Sequence, residues 1–335
     1  HLLSRRQRQM CIRDRYDIDR VYSLAQKKEL HDLYGVERVY SKDDLGSPDL
    51  LEAELIFSTW GMCALSETEI SEYLPRLKAV FYAAGSVQYF AGPFLRKGVK
   101  VFSAWQANAI PVIEYTVAQI TLANKGFFRL PSIIKSRGYS EALNVFKHYK
   151  GNYNTKVGIL GDGAIGYGVI ERLRKMKLSV YVFSITMNAS RAGELGVKLA
   201  TVDEIFEDCD IISNHLADNV RTKGIISARL INKMSNYSTF INTGRGAQVD
   251  EEALINKLVK DPTITALLDV TDPEPPREES LLYKLPNVFL TPHIAGSAGN
   301  EVHRLAEYMI DECERFVNER PLRFEIDEKM LRTMA

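Results

Sequence analysis

The stretch Lys156-Val157-Gly158-Ile159-Leu160-Gly161-Asp162-Gly163-Ala164-Ile165-Gly166 decides how this chain is read. Its apolar run VGIL suits a buried strand, and residues 169–176 carry helical apolar spacing. Between them Gly161, Gly163 and Gly166 fall in G-x-G-x-x-G spacing. A tight turn, a close backbone approach and a free helix N-terminus are what a pyrophosphate requires, so the pattern points to dinucleotide binding. Alone, the same spacing also describes a glycine-rich turn without a ligand.

Downstream, strands are expected at 179–183, 210–214, 239–242, 264–269 and 288–291, with capped helical stretches at 227–234 and 250–260. Six strands in this rhythm make a Rossmann-type doubly wound parallel sheet. Upstream, helix-like segments at 21–34 and 67–74 alternate with strand-like segments at 36–40, 53–58 and 79–83, which predicts a second, smaller α/β domain with a parallel sheet of flavodoxin type. A long apolar helix is expected to start near Pro111, a residue suited to a first helical turn, and to run toward Asn124. The last helix, about 297–318, comes too late for the cofactor sheet and should pack back on the first domain. The expected division is therefore a substrate domain of residues 16–104 and 297–335 and a dinucleotide-binding domain of residues 105–296. Residues 1–15 (HLLSRRQRQMCIRDR) crowd arginine and glutamine without a strand-like run. They are expected to form a non-native arm outside the fold, at the cost of the first strand of the smaller domain.

Composition agrees with this frame. A chain of 335 residues exceeds what one core usually holds and suggests two domains, and 45% hydrophobic with 26% charged residues is a globular balance. Basic and acidic residues are equal at 43 each, so no overall field favours nucleic acid or an anionic membrane, and the ligand should be small. Cys11, Cys63, Cys209 and Cys313 lie far apart with no C-x-x-C pair, which suits a reducing cytoplasm. No run of about 18 apolar residues offers a membrane span. No metal site is expected.

The acidic partner of the glycine fingerprint should stand at the end of the second strand, where it binds the ribose hydroxyls. Ser184 occupies that position. It can hydrogen-bond a ribose but does not repel a 2'-phosphate as a carboxylate would, so NAD is expected with NADP left open. Ile185, Thr186 and Met187 supply no arginine for such a phosphate, and Arg191 is the nearest candidate.

Three later blocks, INTGRGAQVDEEAL (241–254), LDVTDPEPP (268–276) and LTPHIAG (290–296), follow in order. With the glycine fingerprint they resemble the D-2-hydroxyacid dehydrogenase family, which includes phosphoglycerate, glycerate and D-lactate dehydrogenases. The resemblance extends over about 54–320, and NAIPVIEYTVAQITL (108–122) is similar to the family's interdomain helix. It implies two domains joined by two crossovers, an active site in the cleft and dimerisation through the cofactor domains. Residue by residue, it implies that Arg245 binds substrate, Glu274 is the acidic partner and His293 the acid/base. Asp269 would hold the nicotinamide carboxamide, with Ala164, Ile165, Ala217, Thr222, Thr243 and Gly244 among the cofactor contacts. Gly85, Ser86 and Val87 would offer backbone amides to the substrate carboxylate. Two departures stand out: family members usually carry Ala where Gly244 stands, and Ser184 lacks the acid.

The chemistry asks for these residue types independently. An alkoxide formed by hydride transfer must gain a proton from a group titrating near neutrality, which a histidine supplies. A neighbouring carboxylate favours the imidazolium and orients the ring. A guanidinium grips a planar carboxylate with two prongs, which lysine does poorly. The plain alternatives are a structural ion pair for Arg245, a solvated charge for Glu274 and a turn residue for His293. His215 ends a strand near the cofactor cleft, whereas His1, His31, His148 and His303 read as surface residues. Tyr73, Phe81, Tyr82, Tyr89 and Phe90 read as core, and Trp60 is placed to reach a substrate. The other functional classes weighed are a dinucleotide-sensing regulator on the same fold and a relative such as formate dehydrogenase. Nothing after Arg320 resembles a partner-binding extension, and nothing selects for formate.

Overall fold

The computed structural model describes residues 8–11, 15–36 and 38–331. These divide into two compact units, one formed by the described residues of 8–109 and 297–331 and the other by residues 110–296.

In the first unit, β1 (Arg8–Cys11), β2 (Val39–Tyr40), β3 (Leu55–Ser58), β4 (Ala79–Tyr82) and β5 (Lys100–Ser103) form a parallel sheet in the order β2-β1-β3-β4-β5. That is the flavodoxin order, and a short strand, Glu325–Ile326, adds an antiparallel edge beside β5. The sheet is buried on both faces, so side chains alternate between two cores. Leu55, Phe57, Ala79, Phe81 and Phe102 enter one, while Ile56, Val80, Tyr82 and Val101 enter the other. Phe57, Phe81 and Phe102 sit in register on adjacent strands and stack with ring centroids 5.2 and 4.8 Å apart. The helix Val302–Val317 closes this first core. Its Val302, Leu305, Ala306, Met309, Ile310 and Cys313 recur at helical spacing and are all buried there.

The N-terminal segment departs from expectation. Arg8–Cys11, read as part of an arm outside the fold, is a strand: Met10 and Cys11 pair with Val39 and Tyr40, and Arg8, Gln9 and Met10 with Leu55, Ile56 and Phe57. The ladder is made by main-chain N–H and C=O groups, which need partners whatever the side chains are, so a polar sequence does not prevent pairing. The remainder of that arm, residues 1–7 and 12–14, lies outside the described residues.

The second unit holds a seven-stranded parallel sheet: β6 (Lys156–Leu160), β7 (Ser179–Phe183), β8 (Lys198–Leu199), β9 (Ile211–Asn214), β10 (Thr239–Asn242), β11 (Thr265–Leu268) and β12 (Val288–Leu290). Its order is β8-β7-β6-β9-β10-β11-β12, the doubly wound arrangement that reverses direction between β6 and β9. The short β8 adds one strand to the six expected. Loops that bind ligands in such sheets leave the carboxyl ends of the strands around that reversal.

The long helix also begins earlier than expected. It spans Trp105–Ala123 with Pro111 inside it, and the amide of Asn108 donates to Ala104 O at 3.0 Å in the first turn. Pro111 has no N–H for the carbonyl four residues back, at Ala107. Ala109 extends the buried stripe of Val112 and Ile113 toward the N-terminus and Ala107 is buried in the core of the first unit, so burial continues the helix through a residue that by propensity would start one. The chain passes from one unit to the other within this helix and returns between residues 296 and 297. Among the described residues no helix is long and apolar enough to cross a membrane.

Candidate active site

The glycine loop follows β6 directly. Gly161 has φ +93°, a left-handed conformation, and a Cβ there would lie 2.7 Å from His215 O, so the turn requires glycine. A Cβ on Gly166 would lie 2.0 Å from Gly161 O, which is how closely the helix Ala164–Leu173 approaches the turn. Gly163 stands at the helix N-cap with no side-chain cap, and Gly163 and Ala164 are exposed. The N-terminal N–H groups of this helix thus lie beside a loop that admits no side chain at Gly161 or Gly166, a cradle that fits a dinucleotide pyrophosphate.

The end of β7 differs from expectation in detail. Ser184 Oγ accepts the amides of Thr186 at 3.0 Å and Met187 at 2.7 Å, so it closes its own turn. Thr186 Oγ1 in turn lies 2.9 Å from both carboxylate oxygens of Asp162, in the glycine loop. Arg191 is held by Glu194 at 2.9 Å and by the hydroxyl of Tyr167, with its guanidinium over the Tyr167 ring.

At the centre of the sheet a buried amide network joins β9 to β10. Asn214 Nδ2 donates to Asn242 Oδ1 at 3.0 Å and to Gln248 Oε1 at 2.7 Å, and Gln248 Nε2 donates to the carbonyls of Leu216 and Ala217. Thr222 Oγ1 donates to Ala217 O at 2.6 Å, and Thr243 Oγ1 lies 3.4 Å from Thr116 Oγ1. The network explains Gly244: a Cβ there would sit 3.1 Å from Asn214 Nδ2 and 3.3 Å from Gln248 Oε1. His215, expected near the cleft, is buried, with Nε2 2.9 Å from Ser213 Oγ, and burial pushes its pKa down to about 4. It is a neutral structural residue at physiological pH.

Arg245, Asp269, Glu274 and His293 all follow strands of this same sheet. Arg245 stands beyond β10, where its Nη1 donates to Gly244 O at 2.9 Å and its Nε lies 3.7 Å from Asp218, with the side chain partly exposed. Gly246 packs so closely on the next loop that a Cβ would fall 2.0 Å from the Thr271 carbonyl carbon. The arginine loop is thereby set against the segment leading to Glu274. Glu274 Oε1 meets His293 Nδ1 at 2.8 Å, both side chains being exposed. His293 has φ +54°, uncommon for a residue with a side chain, and its loop is clamped by Asp269. The buried Asp269 carboxylate accepts Thr291 Oγ1 at 2.6 Å and the amides of Ile294 and Ala295 at 2.8 and 2.9 Å, while its carbonyl accepts the His293 amide. Asp269, expected at the carboxamide, thus makes its hydrogen bonds within the histidine loop.

The structure therefore brings Glu274 and His293 together and sets the Arg245 loop beside them, with no partner drawn between Arg245 and the pair. Gly85, Ser86 and Val87 belong to the other unit, just beyond β4, with Gly85 and Ser86 half-buried and Val87 buried in the core. Trp60 packs on both cores of that unit with Arg20 4.9 Å above its ring, and Tyr89 is exposed while Phe81, Tyr82 and Phe90 are buried. Among the histidines read as surface residues, His31 and His148 are exposed, and His148 stacks on Tyr237 at 4.3 Å. His303 is half-buried, 3.0 Å from Val21 O, and His1 lies outside the described residues. Sequence reasoning passed over Asp162, Asn214, Gln248 and Thr291. A polar residue at or just past a strand's carboxyl end is the signal that Asp162, Asn214 and Thr291 share, whereas Gln248 lies six residues beyond β10 and carries no such signal.

Residues 118–295 match the sequence profile of the D-isomer specific 2-hydroxyacid dehydrogenase, NAD binding domain. The chain belongs to the D-isomer specific 2-hydroxyacid dehydrogenase family. It is 30% identical over 227 residues to the D-3-phosphoglycerate dehydrogenase of Bacillus subtilis, covering 68% of this chain and 42% of that protein. It is 33% identical over 168 residues to the glycerate dehydrogenase of Methylorubrum extorquens, covering 49% and 51%. The chain thus spans about half or less of the length of these relatives. The fold matches the crystal structure of Rhodotorula graminis D-mandelate dehydrogenase with a TM-score of 0.81 at 18% identity, covering 96% of this chain and 98% of that one.

Proposed function

We propose that this chain is an NAD(P)-dependent dehydrogenase that interconverts a small 2-keto acid and its D-2-hydroxy acid. The observation that carries the reading is the 2.8 Å Glu274–His293 pair, on a clamped loop at the same edge of the sheet as the glycine cradle. In this reading residues 105–296 bind the dinucleotide, and residues 16–104 with 297–335 bind the substrate through the Gly85–Val87 amides. The nicotinamide, when bound, exchanges the hydride. His293 Nδ1 faces Glu274, which leaves Nε2 to give a proton to the keto oxygen or take it from the hydroxyl. Arg245 grips the substrate carboxylate from a side chain that is only partly covered.

A cytoplasmic homodimer completes the proposal. Cys63, Cys209 and Cys313 are buried and form no disulfide among the described residues, as suits a reducing compartment. Phe127, Ile134, Leu143 and Phe146 are exposed apolar residues of the second unit, a surface suited to a second copy.

The test is to follow NADH and NADPH oxidation against a panel of 2-keto acids, with the parent and Arg245→Ala. Loss of a paired, charge-assisted bond of about 2 to 5 kcal/mol should lower kcat/KM by roughly 30-fold or more while dinucleotide affinity stays nearly constant. Collapse of dinucleotide binding with an unchanged KM for the keto acid would remove Arg245 from the substrate role.

A further inference from the structure

We propose that Asp162, in the glycine loop, supplies the carboxylate missing from the end of β7, and that it selects NAD against NADP. The inference rests on the dinucleotide reading above. In a sheet of this order the adenosine ribose lies at the end of the second strand, where a carboxylate accepts its hydroxyls and repels a 2'-phosphate. Ser184 stands there, but its oxygen already receives two amides of its own turn. The parallel register that pairs Leu160 with Phe183 makes the two loops beyond β6 and β7 neighbours. Asp162 crosses that short gap to Thr186, with both oxygens 2.9 Å from the threonine hydroxyl.

A single hydroxyl hydrogen serves one carboxylate oxygen at a time, and each oxygen has further acceptor capacity. Asp162 is half-exposed, so that capacity is open to a ligand. The same full negative charge would stand beside any 2'-phosphate. Arg191, the cation nearest downstream, is engaged by Glu194 and the Tyr167 hydroxyl. The turn thus presents an anchored anion and a cation directed elsewhere, which suits a diol and opposes a phosphate.

Binding of NADH and NADPH, measured by nicotinamide fluorescence for the parent, Asp162→Asn and Thr186→Val, tests this without turnover. The parent should bind NADH about 10-fold or more tighter than NADPH, since like-charge juxtaposition is strongly unfavourable. Asp162→Asn keeps the shape and the threonine contact, and should bring the two affinities within about 3-fold, chiefly by improving NADPH. Thr186→Val keeps the charge and should retain the preference. In the parent alone, raising the salt concentration should shrink the discrimination, because an exposed charge is screened. A parent that favours NADPH, or a ratio indifferent to both Asp162→Asn and salt, overturns the inference and leaves the dehydrogenase reading standing. A parent that binds neither dinucleotide overturns both.

Discussion

The carboxyl ends of β11 and β7 belong to one sheet but are built in opposite ways. Beyond β11, a buried carboxylate, Asp269, takes three hydrogen bonds from the segment that carries His293. Beyond β7, the half-exposed Ser184 closes a turn whose next residues, Ile185 and Thr186, are exposed. A buried charged acceptor strengthens its bonds and makes their loss costly, whereas an exposed turn tolerates change. The comparison teaches that the sheet holds the loop of His293 rigidly and leaves the turn beyond β7 open to variation.

The largest effect should come from the rigid end. His293→Ala removes the proton donor and acceptor and should lower the rate in both directions by about 100-fold or more, with dinucleotide affinity preserved. The pair gives a finer reading. In the proposed pair, Glu274→Gln removes the carboxylate that orients the His293 ring at 2.8 Å and should lower kcat in both directions by a smaller factor than His293→Ala, with dinucleotide affinity preserved. An unchanged kcat would return Glu274 to a solvated charge on a proline-rich turn.

Asp269→Asn separates two roles. It leaves one acceptor oxygen and sets an NH2 group against backbone donors, which costs on the order of 1 to 3 kcal/mol. If Asp269 serves the loop, Tm and kcat fall together while dinucleotide affinity changes by less than about 3-fold. A weakened dinucleotide with Tm intact would place its main role at the carboxamide. The smallest effect belongs to the open end. Ser184→Asp can still accept the two turn amides, and the added carboxylate should raise the NADH to NADPH affinity ratio by only about 2- to 5-fold beside the anion already at Asp162. A change larger than that of Asp162→Asn would reverse the ranking of the two positions.

Much of the frame was legible because repeating patterns write it. Both parallel sheets follow from apolar runs alternating with helical spacing, and Gly161, Gly163 and Gly166 locate the cradle from local constraints alone. Arg245, Glu274 and His293 were singled out by the resemblance of their blocks, and the structure brings Glu274 and His293 together at 2.8 Å. The strand at Arg8–Cys11 was not legible, since main-chain pairing leaves no mark in a polar stretch. The early start of the helix at Trp105 was not, because burial overrode the signal of Pro111.

The sequence by itself therefore determined the class of fold and the place of the glycine cradle, and offered Arg245, Glu274 and His293 as candidates through the resemblance of their blocks. Only the tertiary structure decided which polar groups serve which loop. Asp269 and His293 are 24 residues apart along the chain and Asp162 and Thr186 are also 24 apart, yet each pair meets because parallel strands bring their carboxyl ends to one edge. Contacts made across such an edge depend on register and strand order, which no local pattern of residues encodes.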